Sequence, residues 1–223
     1  MYRRPCRVPG CSSPAASSFA AFCSPHRSAY RRHGAFDQKA ITKAQLKPYL
    51  KLVRARMAKN PDSVAWVTLD ERWRALEDHA RGIVAASLKG RAGSRYERAA
   101  AYEVIKLAED VKPRQVVEVA TAMVMMWELE PRQFRSDRAF WIQIARRVRG
   151  VTDMNFGERW DNVRGRVRRS YRELTPKASL ILGHWLAETL GVGGQHLARL
   201  HRVELEKKAN ESRALHDALS KLV

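Results

Sequence analysis

Cysteine is scarce in this 223-residue chain: there are three, all within the first 23 positions. An odd number in so narrow a window does not make a disulfide framework and suits metal ligation in a reducing compartment. No apolar run approaches the roughly 20 residues that cross a bilayer, which argues against a transmembrane span and against a membrane partner. The N-terminus carries Arg3 and Arg4 but no apolar h-region, so no secretory signal is read and a cytoplasmic setting is expected. Signatures of catalysis are missing as well. There is no nucleophile elbow, no Gly-Lys-Ser/Thr phosphate loop and no cluster of acidic residues in the basic stretches for two-metal phosphoryl transfer. His196 and His201 are five apart and do not share a helix face, unlike a zinc-protease pair. No catalytic residue is assigned, and the expectation is a protein that is not an enzyme.

Long apolar side chains are nearly absent from residues 1–34, where Val8, Phe19, Phe22 and Tyr30 are almost all there is. A segment this poor cannot offset its chain entropy by burial, so a metal must supply the missing stability. The cysteines suit that role. Cys6-x4-Cys11-x11-Cys23-x2-His26 ends in a Cys-x2-His pair, the spacing that lets two neighbouring side chains grip one tetrahedral ion. Zn2+ is the expected ion, with Cys6, Cys11, Cys23 and His26 as ligands and His33 as an alternative to His26. Four protein ligands leave no open position, so the ion is expected to be structural. Pro9-Gly10 turns the chain before Cys11, and a helix is expected from Cys23-Ser24-Pro25-His26 with Arg27, Arg31 and Arg32 on its exposed side.

The pattern Cys6…Gly10-Cys11…Cys23-x2-His26…Arg31-Arg32-His33-Gly34 resembles the short zinc module of many bacteriophage and mobile-element proteins, often found beside or within HNH-type homing endonucleases. The resemblance covers residues 1–34. It implies Cys6, Cys11, Cys23 and His26 as ligands, Tyr30 to His33 as a basic tail, and a phage-infected or bacterial cell as the setting.

Charge is uneven along the chain. Residues 1–59 hold thirteen Lys and Arg against one acidic residue and residues 131–172 hold twelve against four, whereas residues 60–130 are slightly acidic. Two separated basic blocks are what a polyanion-binding surface needs, because each phosphate that is bound releases condensed counterions. The first block continues past the zinc module into a basic connecting segment, residues 35–61. There Thr42-x-x-Gln45 reads as a capping box for a helix with Lys47, Lys51 and Arg54 on its polar side.

The rest, residues 62–223, reads as an all-α body. Thr68-x-x-Glu71, Ser94-x-x-Glu97, Pro113, Ser136 and Thr175-Pro176 mark helix starts. Val116 to Trp127 is apolar almost all round and is expected to be the central, most buried element. Trp160, Val163, Val167, Tyr171 and Leu174 recur at helical spacing, which predicts a helix over 157–173 carrying Arg159, Arg164, Arg166, Arg168, Arg169 and Arg172. Gly191-Val192-Gly193-Gly194 predicts a hinge before a last helix from Gln195 that includes Leu219, whose end is available to a protein partner.

The expectation is therefore an all-α body with a small N-terminal zinc-binding module, in a regulatory or accessory nucleic-acid-binding protein. DNA is favoured over RNA, with the basic residues named above meeting phosphate. The alternatives are a helical adaptor for an acidic partner such as a recombinase, and a metal-dependent nuclease with an unrecognised site.

Overall fold

Local capping chemistry places most of the helices. A computed structural model describes residues 4–220, except for the side chains of Arg159, Arg169 and Leu219, so the sequence readings on these side chains and on Arg3 fall outside it. Helices α1 (Ser24–His33), α2 (Lys43–Lys59), α3 (Val64–Leu88), α4 (Arg95–Asp110), α5 (Pro113–Leu129), α6 (Asp137–Arg149) and α7 (Pro176–Ser220) follow one another, with strands β1 (Phe156–Asp161) and β2 (Arg166–Tyr171) between α6 and α7. At the start of α2 the Thr42 hydroxyl accepts from the Gln45 N–H at 3.2 Å and the Gln45 side chain accepts from the Thr42 N–H at 2.9 Å. Ser94 and Ser136 accept from N–H groups one turn ahead in α4 and α6, and Pro113 opens α5. Each satisfies or removes a donor that the first turn would otherwise leave unpaired.

The body packs around α5. Val116, Val117, Ala120, Ala122 and Met123 to Met126 are all buried there, and α7, α2, α6 and α3 cover them. Leu46, Tyr49, Val53 and Met57 of α2 belong to this same core. The unbranched methionines fill the space between helices that cross on different sides of α5.

Three expectations are corrected. Helix α3 begins at Val64, one turn before Thr68, because Trp66 and Leu69 are buried and extend the apolar stripe of Trp73, Leu76 and Ala80 backwards. Gly191 to Gly194 is no hinge: α7 runs unbroken through it. A β-carbon on Gly194 would lie 2.5 Å from Val124 Cβ, so these glycines let α7 press against α5. Finally, residues 157–173 are not a helix. β1 and β2 pair antiparallel, Phe156 opposite Tyr171 through Asp161 opposite Arg166. Asp161 Oδ1 accepts from the N–H groups of Val163 and Arg164, and Gly165 takes φ +56°, so a four-residue turn reverses the chain where a helix would have continued.

Candidate metal centre and basic surface

Residues 4–23 fold back on themselves through a few backbone bonds: Cys6 N–H to Ser13 C=O, Arg7 N–H to Ala21 C=O, and Cys11 N–H to Val8 C=O across the Pro9-Gly10 turn. These bring Cys6, Cys11, Cys23 and His26 together, with every ligand atom within 4.8 Å of the others. Cys23 Sγ lies 3.2 Å and Cys6 Sγ 3.5 Å from His26 Nδ1, and Cys11 Sγ lies 4.0 Å from Cys23 Sγ. A tetrahedral ion with metal–sulfur bonds near 2.3 Å sets its ligands about 3.7 Å apart. The four residues therefore fit a metal ion. Among the described residues no second group of three or more His, Cys, Asp or Glu side chains comes together in this way.

The thiols differ in how readily they ionise. For Cys6, burial raises the pKa, but hydrogen bonds from Cys23, Val8 and His26 bring it down to about 6. For Cys23, a backbone hydrogen bond from His26 lowers the pKa, yet burial and the Cys6 and Cys11 sulfurs outweigh it and the net shift is upward. Three sulfurs this close cannot all ionise unless positive charge sits between them. The apolar support is slight: Cys6, Val8 and Cys23 are buried, with Cys11, Phe22 and Phe36 packed against them.

His33 is not part of the cluster. It ends α1 with its Nδ1 3.3 Å from the side-chain nitrogen of the buried Gln143, whose Oε1 accepts from the Ile41 N–H. Burial, then Arg146, lower its pKa, which favours the neutral imidazole, the form that can accept from Gln143. Gly34 follows with φ +94°, and a β-carbon there would fall 2.6 Å from the backbone of Ala139. The end of α1 is thereby seated on the start of α6, where Arg138 lies over the Tyr30 ring at 5.0 Å.

This docking unites the two basic blocks. Arg27, Arg31 and Arg32 of α1 are exposed and line a cleft of about 480 Å³ whose other wall is Glu173 to Pro176, the segment leaving β2. Glu173 stands between Arg32 at 3.6 Å and Arg146 at 3.0 Å. Arg164, Arg166, Arg168 and Arg172 are exposed on the hairpin and at its root. The backbone pairing sets Arg159 opposite Arg168 and Arg169 opposite Glu158. Lys47, Lys51 and Arg54 are exposed on α2, where Arg54 is taken up by Glu118 at 2.8 Å.

Sequence reading missed what holds the hairpin. Arg149, 3% exposed, donates to Glu103 at 2.7 Å, to Asn155 Oδ1 at 3.1 Å and to the Arg172 C=O at 2.8 Å, while Asn155 donates back to the Arg149 C=O. Lys106 completes the set by donating to both Glu103 and Asn155. No local signal marks it, since Glu103 and Arg149 are 46 residues apart and each reads as an ordinary helix charge. Burial raises the Glu103 pKa, and the hydrogen bonds from Arg149 and Lys106 outweigh this and hold the carboxyl below its ordinary value. A depressed folded-state pKa contributes stability that is present above the unfolded value and lost as pH falls through the folded one. Wild type should therefore lose its advantage over Glu103→Gln as the solution is acidified below the ordinary glutamate pKa. Urea midpoints of the two proteins from neutral pH to pH 3 check this, and a constant gap would refute it.

The fold and the site define an all-α protein with a small N-terminal module whose three cysteines and one histidine can hold a metal ion. No described helix is long and apolar enough to cross a membrane. Protein-family models, curated proteins and solved structures offer no match to this chain.

Proposed function

We propose that this chain is a nucleic-acid-binding protein, with DNA as its target, of the accessory or regulatory kind that phages and mobile elements encode. Its module holds Zn2+, and its setting is the cytoplasm of a bacterial or phage-infected cell. The observation that carries the reading is the convergence of the two basic blocks: Arg27, Arg31 and Arg32 line one wall of a cleft whose other wall continues directly from the arginine-rich hairpin. The resemblance of residues 1–34 to zinc modules of mobile-element proteins adds to it, and so does the chemistry of the ligands, since three thiolates and an imidazole suit zinc.

Pairing of arginine with phosphate positions the protein, and every such pair that is removed takes away a share of the salt dependence. Changing Arg164, Arg168 and Arg172 together to Glu should weaken duplex binding ~100-fold at low salt and flatten the dependence of affinity on salt by about three units, with the fold retained. Fluorescence anisotropy over a salt series, beside circular dichroism of the same variant, measures both. Undiminished binding would remove the hairpin from the surface.

A second reading, a helical adaptor, draws on the far end of α7. Beyond the pairing of Arg56 with Glu204, residues 205–218 are exposed, Leu205 and Leu215 included. Absence of a gel shift with any duplex or single strand, together with retention of a purified acidic partner, favours it.

A further inference from the structure

The hairpin has an end that its arginines do not explain. Trp160 and Val167 face each other across the strands and are 57% and 56% exposed, and Val163 at the turn is 94% exposed. A two-stranded ribbon is marginal by itself in water, and bare apolar groups at its tip add cost without adding stability. Its root is secured instead, by Phe156 packed edge-on to Tyr171 at 5.4 Å and by Arg149, whose guanidinium lies 5.1 Å from the Tyr171 ring. The molecule thus holds an apolar tip out into solvent on a fixed base, with six arginines and two acidic residues along residues 156–172.

We infer that the hairpin is a ribbon that enters the major groove of duplex DNA tip first, with Trp160, Val163 and Val167 against the base edges and Arg168 on the phosphates at the rim. This rests on the nucleic-acid reading above and specifies the form of nucleic acid. The dimensions agree. The major groove is about 12 Å wide and 8.5 Å deep and accepts a two-stranded ribbon. At about 3.4 Å per residue, Arg168 sits two residues behind the turn-flanking Arg166, so it reaches the rim when the tip reaches the floor. Long arginine stems let the guanidinium groups stay with the phosphates while the tip is buried. Thymine methyl groups on the floor supply apolar surface for the tip.

Other polyanions fit less well. A-form RNA has a deep, narrow major groove that excludes a ribbon. Single strands are gripped by successive stacked aromatics, whereas Trp160 is the one aromatic on the hairpin that stands largely exposed among the described side chains. A lipid surface would leave the N–H and C=O groups of the ribbon's edges without partners, while a hydrated groove satisfies them with water.

The test uses the full-length protein and its double variant Trp160→Ser with Val163→Ser, which alters two exposed side chains. Anisotropy is measured on duplex DNA, duplex RNA and single-stranded DNA of matching sequence, and on anionic phosphatidylserine vesicles. Wild type should bind duplex DNA at least ~10-fold tighter than duplex RNA, and the variant should lose about 10-fold on duplex DNA with an unchanged salt slope. Methyl green, which occupies the major groove, should displace the wild-type protein. Equal affinity for duplex DNA and RNA, preference for single strands, or a variant that binds duplex DNA as well as wild type would overturn the ribbon assignment and leave the nucleic-acid reading standing. Failure to bind any of the nucleic acids would overturn both, and vesicle binding lost in the variant would then assign the tip to a membrane surface.

Discussion

Replacing Cys23 with serine is expected to unfold residues 4–34 while the helical body persists. Serine keeps the size of the side chain and its place at the N-cap of α1, so the change removes one of the four side chains that can hold a metal ion and little else. The effect is large because the module has almost no other source of stability: its buried side chains are Cys6, Val8, Ala15 and Cys23 up to the start of α1. Structural zinc in modules of this size contributes roughly 10 kcal/mol or more. The body keeps its own core around α5, which shares no buried residue with the module's cluster. Hydrogen exchange on the whole chain should show amides of α1 losing protection and those of α5 retaining it, with one zinc per chain in wild type and none in the variant. Chelation of wild type should reproduce the pattern. His26→Ala should behave like Cys23→Ser, whereas His33→Ala should keep its zinc, since His33 bonds Gln143 instead. Protected α1 amides in metal-free protein would sink the assignment.

The second large effect is expected from a single methyl group. Gly194→Ala puts a β-carbon 2.5 Å from Val124 Cβ and 2.7 Å from the Thr121 carbonyl oxygen. Both belong to α5, the helix on which α7 packs most extensively, so neither can move without shifting the centre of the core. The cost should be about 3 kcal/mol or more, at the upper end of overpacking. Gly193→Ala should be milder, because the nearest obstacle is the end of the Leu69 side chain, which can change rotamer. Gly82→Ala should have the opposite sign. Within α3 its β-carbon meets nothing within 4 Å, so better helix propensity stabilises by up to ~1 kcal/mol. Urea denaturation of the three variants decides the matter. A Gly194→Ala protein as stable as wild type would mean that α7 does not lie this close to α5.

Both predictions bear on function through position. Gly34 and His33 seat α1 on α6, where it faces the segment leaving the hairpin. Loss of zinc should therefore weaken nucleic-acid binding without touching an arginine. Pro176, at the start of α7, lies in the wall of the cleft that faces Arg27 and Arg31.

What the sequence determined alone was whatever depends on neighbours a few residues apart. The Thr42, Ser94 and Ser136 caps and Pro113 act within one turn, and the helices begin there. The run from Val116 to Trp127 has little besides Glu118 to show to water and became the centre. Cys23 and His26 lie on successive turns of chain, and an odd set of three cysteines left metal ligation as the simplest use for them. Tertiary structure decided the rest, because there the local signal was ambiguous or silent. Trp160, Val163, Val167 and Tyr171 satisfy helical spacing, but Trp160 with Val167 and Phe156 with Tyr171 also satisfy cross-strand pairing. The choice fell to the Asp161 turn and to Arg149, which is held by a carboxylate 46 residues away and in turn holds the Arg172 carbonyl. Likewise, a glycine run reads as a hinge until a second helix lies against it, when the missing β-carbons become the reason that the helix continues. The meeting of the two basic blocks is of the same kind: it depends on Gly34 touching Ala139 and Gln143 touching His33, and such approaches leave no trace in a sequence until the chain has folded.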